Sequence, residues 1–197
     1  MPNITTPASI FDSLTDVSKG YDITPGHALD HTANISTNVT FDPVDGRIVH
    51  LNASGDFEMG AKADKIPYVL LMPSKLKGMP ATYQGLPSIG WQAIGKYPRT
   101  ALSCNGGYEI STNQYDTALT YNINNYLTGK VSNTVAATGG LLRNANDSDA
   151  ALTPPWRGGG TAMTIVGQVT ATPHTMKNGG ISVLSFETVY FPGSANA

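Results

Sequence analysis

The chain is short of charge and almost without cysteine. Of its 197 residues only 13% are Asp, Glu, Lys or Arg, against about a quarter in an average soluble domain. A disordered chain usually shows the opposite composition, high charge with few aromatics, so the composition argues for a folded chain. Twelve basic and 14 acidic residues leave a net charge of −2. The one basic concentration, Lys62, Lys65, Lys75 and Lys77, is interrupted by Pro67 and Pro73. A phosphate-binding surface needs a denser positive field, so no nucleic acid is expected as partner. The single cysteine, Cys104, cannot form a disulfide within the chain, which fits folding in a reducing cytoplasm. No basic region followed by an apolar core follows Met1, so no signal peptide is expected. The longest apolar run, Val69 to Met72, is far too short to span a bilayer, and no membrane partner is expected.

What is present is Thr, Ser, Asn and Gly in quantity, with 40% hydrophobic residues to build a core. The length suits one domain or two small ones. Low charge also leaves surface free to be covered by other chains. The five N-x-S/T patterns, at Asn3, Asn34, Asn38, Asn52 and Asn146, follow from the composition and need no glycosylation.

Strand signals dominate from residue 35 onward. Ile35, Thr37, Val39 and Phe41 alternate with Ser36, Asn38 and Thr40, which predicts a strand. Turn residues follow, and Arg47 to Leu51, Phe57 to Met59 and Pro67 to Met72 read as further short strands. A second alternation runs from Tyr108 to Ile123, with Tyr115, Thr117, Leu119, Tyr121 and Ile123 on one face, and predicts another strand, with Tyr126-Leu127 and Val131 to Ala137 continuing the sheet. The C-terminal part carries the clearest signal. Thr161 to Ala171 and Ile181 to Phe191 are β-rich runs separated by turn residues, which predicts a long hairpin. The second run is apolar on both parities, so both its faces should be covered.

The fold class expected is therefore all-β, an antiparallel sandwich or barrel with long loops, a C-terminal hairpin and an extended N-terminal arm. Residues 1–34 form the arm and residues 35–197 the β-domain, with irregular insertions near 74–107 and 138–160. One short helix from Ser9 is expected in the arm, with Ile10, Leu14 and Val17 on one face. No repeat of fixed period is read. The arm's apolar residues Ile4, Ile10, Phe11, Leu14 and Val17, together with Trp156, are the candidate contacts to a subunit or partner.

Candidate chemistry is sparse. His27 and His31 would share a face on a helix, with Asp30 beside them. Pro25-Gly26 upstream and a strand downstream leave hardly a turn for that helix, so no metal is expected. Cys104 would need a base such as His50 or His174, and a lone cysteine is better read as a small packed hydrophobe. The Gly158-Gly159-Gly160 run leads into a strand and lacks the Lys-Ser/Thr of a phosphate loop. Asp42, Asp45, Asp56 and Glu58 have no calcium-loop spacing. No cofactor and no catalytic set is expected, and the chain is read as a non-enzyme.

With the arm before Ile35, the meander through Asp45-Gly46-Arg47-Ile48-Val49, and Val166-Gly167-Gln168-Val169 entering the hairpin, the chain resembles structural proteins of tailed-bacteriophage virions. It is most similar in style to capsid decoration, or cement, proteins. The resemblance implies binding to the outside of a shell of major capsid protein, self-association as a dimer or trimer, and a place on the virion exterior after folding in the host cytoplasm. A tail-tube or neck protein is the alternative within the virion. A carbohydrate-binding module or hydrolase using Trp91, Trp156 and the tyrosines is the alternative outside it.

Overall fold

Every regular element among the described residues is a β-strand, so the chain is all-β. The computed structural model describes residues 15–19, 31–41, 43–71, 98–105, 107–145, 152–153, 161–162, 164–175 and 180–192. The strands are β1 (Thr15–Lys19), β2 (His31–Asn34), β3 (Ile48–Leu51), β4 (Phe57–Met59), β5 (Pro67–Leu71), β6 (Pro98–Ser103) and β7 (Glu109–Thr112). They continue with β8 (Tyr126–Gly129), β9 (Leu142–Asn144), β10 (Leu152–Thr153), β11 (Thr161–Ala162), β12 (Ile165–Thr175) and β13 (Ser182–Phe191). One antiparallel sheet has the order β2-β6-β5-β3-β4, the other β1-β7-β13-β12-β8-β9, and β10 and β11 form a small parallel pair.

Both large sheets curl shut. In the first, β2 and β4 are the outermost strands, about 19 Å apart if the sheet were flat. Yet Ile35, the residue directly after β2, is bridged in parallel to Phe57 of β4, and Ser36 N donates to Phe57 O at 2.9 Å. Consecutive Cα atoms are only about 3.8 Å apart, so the two edges must meet. In the second sheet Tyr115, three residues past β7, is bridged in parallel to Leu142 of β9, and Asp116 N donates to Leu142 O at 2.9 Å. Three residues reach roughly 10 Å at most, so β7 and β9 also close. Strand β1 lies outside this second barrel, added antiparallel to β7.

The two barrels are one topology used twice. The first reads β2-β6-β5-β3-β4 and the second β7-β13-β12-β8-β9. Registers match pair for pair. Val49 faces Met59 and Leu51 faces Phe57, as Leu127 faces Asn144 and Gly129 faces Leu142. Val49 faces Tyr68 as Leu127 faces Gly167. Leu70 faces Ala101 and Ala101 faces His31, as Val169 faces Phe186 and Phe186 faces Ile110. Even the loop bonds repeat. Gly46 N donates to Leu70 O and Leu70 N to Arg47 O, while Asn124 N donates to Val169 O and Val169 N to Asn125 O. Gly46 and Asn124 both have positive φ, 82° and 69°. The structure thus reveals the internal repeat that the sequence reading missed.

Each barrel has its own interior. The first is filled by Val49, Phe57, Met59, Leu70 and Ala101, with Ala33, Ile35, Val39, Phe41 and Tyr68 against them. In the second, Ile110, Tyr115, Tyr121, Leu127, Leu142, Val169, Leu184 and Phe186 belong to one cluster. That cluster also takes in Ile48, Val69, Leu102 and Cys104, which alternate with the first barrel's interior residues and so face out of it. The barrels therefore share apolar contact. The β8–β9 loop adds polar ties, since Ile48 N donates to Gly140 O, Ala61 N to Gly129 O and Met59 N to Asn133 Oδ1.

The hairpin is found where expected, and Val183 through Phe186 are buried on both faces of β13. Two expected strands, 35–41 and 131–137, are not, and of the one expected from Tyr108 to Ile123 only the start is a strand, β7. Residues 35–41 and 115–121 are turns, not strands. Each begins with the bridging residue and folds back on a side-chain-capped turn, with Ser36 Oγ accepting from Asn38 N and Asp116 Oδ1 from Ala118 N. The alternating apolar residues Val39, Phe41, Leu119 and Tyr121 instead pack on the barrel interiors. Residues 131–137 are also turns, held by Thr138 N and Gly139 N donating to Val135 O, and Val131 and Val135 are exposed. Pro98–Ser103 and Leu142–Asn144, in stretches read as irregular, are barrel strands, and β1 and β2 precede residue 35. Val17 lies in β1, opposite Ile110, so the helix expected from Ser9 does not extend over it.

Candidate functional site

The parallel bridge that closes each barrel places three polar residues together. They are the residue after the bridge, the residue after the second barrel strand and the middle residue of the third. In the first barrel these are Ser36, Asn52 and Glu58; in the second they are Asp116, Lys130 and Arg143.

At the first seam a carboxylate is ringed by neutral donors. Asn38 Nδ2 donates to Glu58 Oε1 at 2.8 Å, and Asn52 Nδ2 and Ser36 Oγ donate at 3.3 Å each. The Asn38 bond above all, with help from Asn52 and Asn133, holds the Glu58 carboxyl below the usual carboxylate range against the opposing effect of burial. Register partner His50 is 2% exposed. Its Nδ1 lies 2.9 Å from Gly60 O, and a carbonyl only accepts, so Nδ1 carries the proton. Nε2 then turns a lone pair toward Glu58 Oε2 at 3.9 Å. Burial pushes the imidazole pKa down, more than Glu58 and Gly60 raise it. In a catalytic couple the carboxylate holds the N–H and leaves the other nitrogen facing a substrate. Here the bare nitrogen faces the carboxylate and the ring is sealed. The pair works as structure.

The second seam is open. Asp116, Lys130, Thr138, Leu141 and Arg143 line a pocket of about 210 Å³. Arg143 Nε stands 3.5 Å from Asp116 Oδ2 and, although that nitrogen is buried, it makes no hydrogen bond among the described residues. Tyr121 OH donates to Asp116 O at 2.9 Å and Leu142 O at 3.1 Å, and its ring meets Tyr115 edge-on at 5.5 Å. These bonds hold the backbone of the lining residue Asp116 and of Leu142, which lies between the lining residues Leu141 and Arg143. Two cations and one carboxylate leave the lining with one unmatched positive charge.

The residues singled out from sequence fall elsewhere. Of the candidate contact residues, Val17 is placed in β1, while Ile4, Ile10, Phe11, Leu14 and Trp156 lie outside the described residues. His31 is in β2; His27, Asp30 and Trp91 lie outside the described residues. Among the described residues no three His, Cys, Asp or Glu side chains group as a metal site would. Cys104 is fully buried in the shared core, and burial pushes its thiol pKa far up, away from the thiolate a nucleophile needs. His174 is exposed on β12, while His50 is sealed at the seam. The pocket residues were not found from sequence. The signal was there in paired form: Ile35-Ser36-Thr37-Asn38-Val39-Thr40-Phe41 and Tyr115-Asp116-Thr117-Ala118-Leu119-Thr120-Tyr121 align position by position. Comparison with protein families, curated proteins and solved structures finds no match.

Proposed function

We propose that this is a non-enzymatic structural protein of a bacteriophage virion, which binds the outer surface of the capsid shell and stabilises the mature head. Its partners are the major capsid protein and further copies of itself. The observation that supports the reading is β1. Thr15–Lys19 add to β7 outside the closed barrel by antiparallel backbone pairing, with a register shift between Val17 and Lys19. A strand held on the outside of a barrel in this way can exchange its acceptor for a sheet edge on a neighbouring chain. Low charge and the paired, closed barrels suit a module that is repeated over a lattice, where weak contacts add through effective concentration.

The test is co-sedimentation of the full chain with mature capsid shells, alongside a variant lacking residues 1–30. Saturable binding of the full chain, weakened at least tenfold by the deletion at equal folded fraction, supports the reading. No binding to shells, or assembly into rings or tubes in solution, overturns it; rings or tubes would point to the tail.

A further inference from the structure

We propose that the pocket at the second seam is a binding site for a single carboxylate group. Pseudo-symmetry makes the argument. At the first seam the equivalent three positions hold a carboxylate, that of Glu58, within a ring of side-chain donors supplied by the same chain. At the second seam the strand residue is Arg143 instead, and Lys130 stands where Asn52 stands. The donors are present and stronger, because cations bond carboxylates more tightly than amides do. The acceptor they share is only partly supplied. Asp116 lies at 3.5 Å from Arg143 Nε without completing a hydrogen bond, its Oδ1 already accepts from Ala118 N, and Lys130 has no ion-pair partner among the described residues.

The charge count selects the ligand. Lys130 and Arg143 against Asp116 leave one positive charge in the lining. A monoanion neutralises it; a phosphate dianion would leave an excess negative charge beside Asp116. Thr138 offers a hydroxyl donor and Leu141 an apolar wall, so a carboxylate on a short aliphatic stem fits the lining. A pocket of about 210 Å³ holds such a group with several waters. The carboxylate comes either from a free small acid or from an acidic side chain of a partner protein. The site stands on this geometry and is independent of the capsid reading.

The experiment is a titration of the isotopically labelled full chain by two-dimensional amide NMR, using acetate, a capped Gly-Glu-Gly peptide, inorganic phosphate and sodium chloride as probes. The expected result is saturable shifts at Lys130, Thr138, Leu141 and Arg143 with acetate or the peptide, with phosphate no tighter. Lys130→Met should weaken the response at least tenfold while leaving the remaining amide spectrum, and so the fold, unchanged. Peptide tighter than acetate assigns the site to a protein side chain; the reverse assigns it to a free acid. A response to chloride equal to that of acetate, phosphate binding tighter than both, or full retention of binding in Lys130→Met overturns the proposal.

Discussion

Glu58 and Arg143 stand at the same position of the same barrel strand and carry opposite charge. Each is the middle residue of its strand, paired in register with His50 in one barrel and Thr128 in the other. Each reaches the residue after its bridge, Ser36 or Asp116, at 3.3 Å and 3.5 Å. The scaffold thus tolerates either sign at a seam, provided that the neighbours supply the complement.

Glu58→Gln should cost about 1–2 kcal/mol at neutral pH, because it turns charge-assisted bonds from Asn38, Asn52 and Ser36 into neutral ones. The Glu58 carboxyl is held below its ordinary range in the folded protein. Its contribution is therefore complete above the unfolded value, about pH 4, and is lost as pH falls through the lower folded value. Denaturant titrations of both proteins should converge at acid pH. A difference that stays constant down to about pH 2 would show that the charge is not what the seam uses.

His50 acts in a higher window with the same sign. Burial lowers its folded pKa, so the folded state prefers the neutral ring. That preference costs nothing above the unfolded value of about 6.5, and stability falls as pH drops below it and the unfolded chain takes up the proton. Thermal midpoints of the native protein should fall between about pH 7 and pH 5. His50→Asn, whose amide can replace the Nδ1 donor to Gly60 O, should remove most of that slope. An unchanged slope in the variant would place the titration elsewhere.

Gly46 and Asn124 make the repeat testable in the backbone. Both take the left-handed conformation just before a barrel strand, and both N–H groups donate to the equivalent strand carbonyl. Asn is the non-glycine residue that tolerates this region best. Gly46→Asn should change stability by less than about 0.5 kcal/mol, whereas Gly46→Val should cost roughly 2 kcal/mol or more. Equal losses from the two substitutions would mean that space at this buried site, not backbone conformation, decides.

The legible part of the fold was what period-2 patterning and turn chemistry can carry. Four short strands between turn residues, β3, β4, β5 and β8, and the hairpin of β12 and β13, were visible for that reason. The seams were hidden because Ile35–Phe41 and Tyr115–Tyr121 alternate as strands do, while a single side-chain oxygen, Ser36 Oγ or Asp116 Oδ1, folds each into a turn. The pocket was hidden for a different reason. Asp116, Lys130 and Arg143 are scattered in sequence; the β8–β9 pairing sets Lys130 near Arg143, and only barrel closure by the Tyr115–Leu142 bridge adds Asp116.

Phe186 is wholly buried and its ring lies against the backbone of Gly167 on the neighbouring strand. A Cβ at Gly167 would also stand 2.9 Å from Glu187 O, closer than packing allows. Phe186→Ala should cost roughly 3–5 kcal/mol. Gly167→Ala should cost about 1–3 kcal/mol through overpacking, and much of that loss should disappear in the Phe186→Leu background, because the clash partner is smaller. Strict additivity of the two substitutions would separate the residues energetically.

The two barrels should unfold together although each is closed by its own bridge. Ile48, Val69 and Leu102 face out of the first barrel into the cluster that holds Leu127 and Phe186 of the second. Arg47 donates from Nη1 to Ala136 O at 2.7 Å and Gly139 O at 2.6 Å and from Nε to Gln114 Oε1 at 3.1 Å, while its guanidinium lies 5.8 Å over the Phe41 ring. One side chain thus joins Phe41, packed on the first barrel's interior, to Gln114 and the β8–β9 loop of the second. Separating the halves would expose the shared apolar face and leave those carbonyls without their donor. Calorimetry should therefore show one transition with equal calorimetric and van't Hoff enthalpies. Arg47→Ala should lower stability by about 2–3 kcal/mol, since hydrogen bonds to a charged donor are lost. A calorimetric enthalpy near twice the van't Hoff value, together with a fragment of residues 1–107 that folds alone, would show two independent units instead.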